Sequence, residues 1–270
     1  MVAVPNNSNK STTIVQITDS HLFQETDGCL LGISTYSSLR AVVDKVLSEQ
    51  PDVQLVLGTG DISQDGTANS YQHFIEQVSR ISAPLRWMAG NHDVSSVLHS
   101  SSEATQWLQP VYDLDAWRII LLDSSVDGSV FGYLTPEQLQ LLEQALDTAE
   151  ERHVLIALHH HPVPIGCAWL NNLGLRNADE FLAITDRYSS VKGVIWGHIH
   201  QEFESLRNDV HLLSAPSTCV QFKPQSIDFA VDDCAPGYRW LKLFDDGRFS
   251  TGVSRVAADL FHPDMDVTGY

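Results

Sequence analysis

Five short polar motifs in this chain each follow directly on an apolar run that is typical of a buried β-strand. Each motif carries aspartate, asparagine or histidine, the side chains that bind borderline metal ions. In open α/β folds, ligands gather beyond the carboxyl ends of the strands. The pattern therefore predicts a layered α/β fold in which all five motifs meet at one edge. The motifs are Asp19-Ser20-His21, Gly60-Asp61, Gly90-Asn91-His92-Asp93, His159-His160-His161-Pro162 and Gly197-His198-Ile199-His200.

Apolar strand-like runs alternate with helical periodicity along most of the chain. The predicted strands are 14–17, 53–57, 85–89, 117–122, 154–158, 191–196, 203–206, 210–213, 238–244 and 249–256. The predicted helices are 36–47, 68–81, 178–188 and one that begins at Thr135-Pro136, a cap followed by a first-turn proline. Alternation followed by a β-rich end predicts an α/β fold of two mixed sheets flanked by helices. We expect residues 1–13 to form a flexible lead-in and 14–270 a single domain with a β-rich C-terminal part.

Composition narrows the class of protein. The 270 residues carry a formal net charge of −18, which argues against a nucleic-acid or anionic-membrane surface. An acidic protein that acts on an anionic substrate needs local positive charge, which two bound cations would supply. The four cysteines are sparse and form no C-x-x-C pair, and the N-terminus has no apolar signal-like region. These features predict a cytoplasmic protein.

Ligand chemistry divides the motif residues into two sets around one shared carboxylate. Asp61 has two oxygens and can bridge two cations. Imidazole, carboxylate and amide ligands together suit Fe, Mn or Zn better than Mg or Ca. Two such ions about 3.5–4 Å apart lower the pKa of a shared water, which becomes the nucleophile. The remaining predicted ligands are Asp19, His21 and His200 for one ion, and Asn91, His159 and His198 for the other.

The motifs D-x-H, G-D, G-N-H-D, a histidine before H-P, and G-H-x-H resemble the metallophosphoesterase signature. The further stretches HHHPVPIGCAW, LRNADE, GHIHQE, APSTCVQFKP and APGYR are similar to the bacterial class III 3′,5′-cyclic AMP phosphodiesterases. This resemblance runs from residue 14 to residue 270, and every ligand position of the signature is filled.

The resemblance implies a four-layer αββα sandwich with a centre of two metals, usually iron with manganese, although Zn, Co or Mg are possible. It also implies hydrolysis of cyclic AMP to 5′-AMP by in-line attack of a hydroxide that the two metals share. His92 takes the catalytic position that contacts the phosphate and assists the leaving oxygen, alongside Asp61. The implied substrate-binding residues are His21, Asp61, Asn91, His92 and His200.

Several alternatives stay open from the sequence. The same centre could act on 2′,3′-cyclic nucleotides, cyclic GMP, other phosphodiesters or monoesters, and a scaffold that has lost catalysis is a third hypothesis. The C-terminal third could cover the pocket or form the face of a homodimer. His160 and His161 are expected behind the ligands, on the substrate side, or in a purely structural role. Trp169 and Phe222 either stack on adenine or pack the core.

Overall fold

Two mixed β-sheets form the centre of the protein in the computed structural model, which describes residues 10–100 and 107–269. The five-stranded sheet has the strand order β15-β14-β1-β4-β5, in which β1, β4 and β5 run parallel and β14 pairs antiparallel with β1. Its strands are β1 (Ser11–Ile17), β4 (Val53–Thr59), β5 (Leu85–Met88), β14 (Gly237–Phe244) and β15 (Phe249–Arg255).

The six-stranded sheet has the order β10-β11-β9-β8-β7-β6, with β7, β8, β9 and β11 parallel. Its strands are β6 (Val111–Leu114), β7 (Trp117–Leu122), β8 (His153–Leu158), β9 (Val191–Trp196), β10 (Phe203–Arg207) and β11 (Val210–Ser214). Two short antiparallel pairs complete the β-structure: β2 (Cys29–Leu30) with β3 (Ile33–Ser34), and β12 (Gln221–Phe222) with β13 (Val231–Asp232).

The helices lie in the connections between strands. They are α1 (Thr35–Glu49), α2 (Ala68–Val78) with a 3₁₀ turn (Ser79–Ile81), α3 (Ser95–Ser100), α4 (Pro136–Asp147), α5 (Ala168–Asn171) and α6 (Ala178–Thr185). The predicted cap of α4 is confirmed: the Thr135 side chain accepts a hydrogen bond from the Gln138 N–H, and Pro136 begins the helix. None of the helices in the described ranges combines the length and apolar character of a membrane span.

Three apolar cores separate four layers. Leu57 and Leu241 of the five-stranded sheet pack against Leu155 of the six-stranded sheet in the central core. A second core joins the outer face of the five-stranded sheet to α1 and α2, and a third joins the six-stranded sheet to α4 and α6. The predicted αββα sandwich of two mixed sheets flanked by helices is therefore confirmed.

A buried arginine also joins the two sheets. Arg239 lies on β14 and has no exposed surface. Its Nε donates to the Ser214 carbonyl oxygen at 3.0 Å, and its guanidinium also donates to Glu204 at 3.0 Å. Ser214 and Glu204 belong to β11 and β10, so this one side chain links both sheets through polar contacts.

The predicted lead-in of residues 1–13 is three residues too long at its C-terminal end. β1 begins at Ser11 because the strand β14 offers partners that far, with Ser11 opposite Phe244 and Thr13 opposite Lys242. Residues 1–9 lie outside the described ranges. The edge strand β6 and the two short pairs were not predicted, because two to four residues with mixed exposure carry no clear periodicity.

Candidate metal centre

All seven predicted ligands lie together where the carboxyl ends of the two sheets meet. The loops after β1, β4 and β5 bring four of them, and the loops after β8 and β9 bring three. Six of the seven are at least 95% buried, and Asn91 is half-buried. Burial of so many polar side chains in one place is costly unless each has a partner or a bound ion.

The first half of the centre contains Asp19, His21 and His200. The Nε2 atoms of His21 and His200 are 3.0 Å apart, and His200 Nε2 is 3.4 Å from Asp19 Oδ1. One ligand atom from each of these residues lies within 4.8 Å of the others. This spacing matches three ligands that surround one cation.

The second half contains Asn91, His159 and His198. Asn91 Oδ1 is 3.2 Å from His159 Nε2 and 2.9 Å from His198 Nδ1. Asp61 lies between the halves, because its Oδ2 is 3.8 Å from His21 Nε2 and 3.3 Å from His159 Nε2. Its other oxygen accepts a hydrogen bond from the His92 backbone N–H at 2.8 Å, which holds the carboxylate in place.

Hydrogen bonds at the far side of each ring fix where the imidazole protons are. His21 Nδ1 lies 2.6 Å from Gln64 Oε1, and His200 Nδ1 lies 2.8 Å from the Val220 carbonyl oxygen. Both oxygens only accept, so each Nδ1 donates its proton. The two Nε2 atoms then face each other with lone pairs, beside the carboxylate of Asp19. Such an arrangement of acceptors fits a cation.

His159 has the same arrangement in the second half. Its Nδ1 donates to the Thr59 carbonyl oxygen at 2.8 Å, so its Nε2 lone pair points at Asn91 Oδ1 and Asp61 Oδ2. Three acceptors again converge without a donor among them. Outer hydrogen bonds that set the tautomer of a ligating histidine are a regular feature of metal sites. The residues present therefore fit two cations.

The charges of the side chains in the centre also indicate that it binds cations. Burial lowers the pKa of His21 to about 3, so this ring is neutral. Burial also acts to lower the pKa of His159, but the nearby carboxylates of Asp61 and Asp19 outweigh it and raise that pKa to about 9. Without a cation, His159 therefore takes up a proton on Nε2, and a bound cation would replace that proton and meet the Nε2 lone pair. The buried carboxylates thus draw positive charge into the centre, and bound cations would provide it.

The backbone of the ligand loops is unusual. Five predicted ligands are non-glycine residues with left-handed φ: Asp19 (52°), His21 (45°), Asp61 (48°), His198 (67°) and His200 (50°). Each such residue costs of order 1 kcal/mol or more and persists only where the surroundings hold it, typically at functional sites. The left-handed turns at His198 and His200 send the two rings to opposite halves of the centre.

Glycines before three ligands make room for them. Gly60 has a left-handed φ of +92°, which favours glycine, whereas Gly90 and Gly197 have no such φ. A Cβ on Gly90 would lie 2.2 Å from Asp61 Oδ1, and one on Gly197 would lie 2.7 Å from Asp19 Oδ2. At Gly90 and Gly197 any larger residue would collide with a ligand, so these two positions require glycine because it has no side chain.

His92 lies at the open side of the centre. It is half-buried, and its ring centroid is 4.9 Å from that of His21 in an edge-on contact. The Asp93 carboxylate accepts hydrogen bonds from the backbone N–H groups of Gly90 and Ser63, at 2.8 and 3.0 Å, and so shapes the loop that carries His92.

The other two histidines of the triple-histidine motif lie behind the ligands. Both ring nitrogens of His160 are used, by Ser124 Oγ at 2.8 Å and the Val130 carbonyl oxygen at 3.1 Å. The His161 ring stacks on that of His198 with centroids 5.8 Å apart. His160 therefore has no nitrogen left for a cation, and His161 supports a ligand ring by packing.

The centre also depends on residues that the sequence did not single out. Gln64, Thr59 and Val220 hold the outer nitrogens of the three Nε2-facing histidines. Ser217 donates to the Asp19 carbonyl oxygen at 2.7 Å and supports the first loop. Of these residues, only Gln64 could have been suspected from the sequence, because it is a polar residue three positions after Asp61 in the same loop.

Comparison with known proteins agrees with this geometry. Residues 12–202 match the family model described as calcineurin-like phosphoesterase. The chain is 48% identical over 263 residues to the 3′,5′-cyclic adenosine monophosphate phosphodiesterase CpdA of Pseudomonas aeruginosa, with 97% of each chain covered. It is 41% identical over 272 residues to the protein of that name from Escherichia coli strain K12, with 100% of this chain and 99% of the relative covered.

A solved structure supports the fold. A dimetal phosphatase from Danio rerio superimposes with a TM-score of 0.64 at 18% sequence identity, covering 91% of this chain and 99% of that one. At this level of identity the likeness concerns the fold alone. The extent of the family match and the full-length similarity to the bacterial relatives show that the chain belongs to the calcineurin-like phosphoesterase family.

Proposed function

We propose that the protein hydrolyses the 3′,5′-cyclic phosphodiester of cyclic AMP to give 5′-AMP. The observation that carries the proposal is the convergence of all seven predicted ligand side chains, with the Nε2 atoms of His21, His159 and His200 directed inward. The names of full-length relatives at 41–48% identity specify the substrate. A scaffold that has lost catalysis would have lost a ligand or His92, and this chain retains them all.

We assign the seven side chains to two cations. Asp19, His21 and His200 would hold one cation, Asn91, His159 and His198 would hold the other, and Asp61 could contribute to both. Iron and manganese are the proposed pair, with Zn or Co as alternatives, because the mixture of imidazole, carboxylate and amide suits borderline ions. Mg, a harder ion, is an alternative that only the resemblance supports. When bound, the cations acidify the attacking water and neutralise charge on the phosphoryl oxygens.

The chain's own residues orient the substrate and move the leaving proton. A water oxygen bonds to phosphorus while the bond from phosphorus to O3′ breaks on the opposite side, and His92 gives O3′ its proton. His92 is suited to this because an imidazole can give and take a proton and this half-buried ring lies at the open side of the centre. We propose His21, Asp61, Asn91, His92 and His200 as the substrate-binding residues.

We further propose that the protein works in the cytoplasm and that the chain from Ser11, where β1 begins, acts as one domain. All four cysteines lack a disulfide partner, which suits a reducing compartment. Both sheets supply ligands to the same centre, so neither could function alone.

The proposal is tested by product analysis with a panel of substrates. The purified protein, loaded with manganese or iron, is given cyclic AMP, cyclic GMP, 2′,3′-cyclic AMP and an aryl phosphodiester in parallel. We expect cyclic AMP to be the best substrate and 5′-AMP the product by chromatography. Protein that leaves cyclic AMP intact while hydrolysing the aryl diester would contradict the proposed substrate but not the metal centre.

A further inference from the structure

An apolar cavity of about 300 Å³ opens directly beside the metal centre. Asn91, His92 and His198 line one side of it, so it shares a wall with the predicted ligands and with the catalytic histidine. Its volume lies at the lower end of the range for small-molecule sites. The rest of the lining is formed by Val130, Trp169, Leu170, Leu173, Phe222, Phe229 and Gly269.

Three aromatic rings form the far end of this cavity. Trp169, Phe222 and Phe229 make mutual edge-on contacts, with ring centroids 5.1–5.4 Å apart. Phe222 is buried and stacks on His200 with centroids 4.2 Å apart and an interplanar angle of 8°. The aromatic cluster is thus continuous with the imidazoles of the centre.

Trp169 is fixed in position although it is only half-buried. Its indole N–H donates to Ser226 Oγ at 3.2 Å, and that hydroxyl donates to the Lys223 carbonyl oxygen at 2.9 Å. A ring that is held before the ligand arrives loses little conformational entropy on binding. Packing alone would not require a polar anchor on a side chain that keeps accessible surface.

A second cavity on the other side of His92 has a different chemistry. It has a volume of about 360 Å³, and its lining includes two carboxylates, Asp93 and Asp127, among the residues of 90–96 and 125–128. Among the residues that the structure describes, no aspartate, glutamate, lysine or arginine lines the cavity with the aromatic rings. With its phosphate near His92, a ligand could place an attached ring in either cavity. An uncharged planar ring should bind more favourably in the aromatic cavity than in the acidic one.

We propose that the aromatic cavity binds the purine base of the cyclic nucleotide, with Trp169 as the stacking partner at its accessible side. This inference rests on the proposed function, since it assigns a place to the base of the same substrate. It makes Trp169 a specificity-determining residue, because a base that cannot stack there loses contact area. Phe222 has a double role, since it lines the cavity and also holds the ring of His200.

Kinetics with two substrates test the proposal. The enzyme is assayed with cyclic AMP and with ribose 3′,5′-cyclic phosphate, which lacks the base. Removing one stacking ring is expected to raise KM for cyclic AMP about tenfold or more in Trp169→Ala, with the base-free substrate unaffected. Trp169→Phe keeps a ring and should restore most of the loss. Val126→Ala, in the acidic cavity, serves as the control and should leave KM unchanged for both substrates.

The proposal is overturned if Trp169→Ala leaves KM for cyclic AMP unchanged, or if it impairs both substrates equally. The second result would mean that Trp169 supports the fold around the centre and does not hold a base. Because both substrates carry the same phosphodiester, a failure of this kind is separate from a failure of the hydrolytic activity itself.

Binding of adenosine gives a readout that does not depend on turnover. Adenosine has no phosphate, and its contact with the cavity can be followed through the ¹⁵N indole resonances of the protein. We expect a saturable shift of the Trp169 resonance, assigned by its absence in Trp169→Phe, and no shift for the buried Trp117. No movement of the Trp169 signal up to the solubility limit of adenosine would overturn the proposal. A shift in a protein that does not hydrolyse cyclic AMP would refute only the proposed reaction.

Discussion

The two sheets contribute chemically different halves to the metal centre. The loops of the five-stranded sheet provide every oxygen ligand, namely Asp19, Asp61 and Asn91, together with one imidazole. The loops of the six-stranded sheet provide only imidazoles. One sheet therefore brings the negative charge of the centre, and the other brings imidazole nitrogens.

This division means that the centre exists only at the seam between the sheets. Neither sheet alone offers a complete set of ligands to one cation, because His200, which follows a strand of the six-stranded sheet, completes the set of Asp19 and His21. The packing of the two sheets is thus part of the function. Substitutions where the two sheets meet should affect metal binding, turnover or overall stability, whereas substitutions within one sheet should have little effect on any of them.

The largest effect is expected where both halves share one side chain. Asp61→Asn keeps the volume of the side chain and one oxygen but removes the charge. We expect kcat/KM to fall by about 10³-fold or more, since several kcal/mol of charge stabilisation is lost. Metal analysis should show fewer than two ions per chain. Asp127→Asn removes a nearby charge that is not a ligand and is the matched control; an Asp61→Asn protein with full metal content would contradict the shared carboxylate.

A smaller effect is expected when the proton donor is removed and the ligands stay. His92→Ala should lower kcat by about 10²–10⁴-fold, the usual contribution of a positioned general acid. The metal content should remain that of the wild type. His92 can be grouped with His21 and Asp61 within 4.8 Å, so a loss of metal in this variant would show that His92 is itself a ligand.

The ligand positions could be predicted from sequence, whereas the geometry that holds them could not. Motif order and the strand-like runs were sufficient to bring Asp19, Asp61 and His198 together, because the carboxyl ends of parallel strands meet. The left-handed φ of these residues has no sequence signal, since it is imposed by the surrounding loops. Val220 and Thr59 act through backbone oxygens, which any residue at those positions would offer.

In the fold, too, features set by the local sequence could be predicted, and features that depend on distant partners could not. Long apolar runs gave the inner strands to within a few residues, and β9 at its observed bounds. The edge strand β6 was missed because it exists by pairing with β7. Arg239 stands in a stretch quoted for its resemblance, but its link between the sheets depends on partners 25 and 35 residues away in the chain.

Arg239 allows a test of the seam without touching a ligand. Arg239→Met keeps the length of the side chain but leaves the Ser214 carbonyl oxygen without its donor. We expect the free energy of unfolding to fall by about 1–3 kcal/mol in urea titrations, the cost of an unsatisfied buried polar group. Arg248→Met removes an exposed arginine that pairs with Asp246 and should change stability by less than about 1 kcal/mol.

An ion pair within one sheet should have the smallest effect. Asp113 on β6 lies directly opposite Arg118 on β7, and its Oδ1 accepts from the Arg118 Nε at 2.6 Å. The hydrogen bond and charge of Arg118 lower the pKa of Asp113. Asp113 is 39% exposed, so solvent screens the pair, and Asp113→Asn should cost about 0.5 kcal/mol or less.

The pH dependence of this cost has a definite sign. A carboxyl whose pKa is lower in the folded protein stabilises it above the unfolded pKa of about 3.9, and this contribution is lost as the pH falls through the folded pKa. The stability difference between wild type and Asp113→Asn should therefore be present at pH 6 and shrink below about pH 4. Activity at pH 7 should be unchanged, because the pair lies within one sheet and joins no ligand loop; reduced turnover would mean that the seam extends further than its contacts indicate.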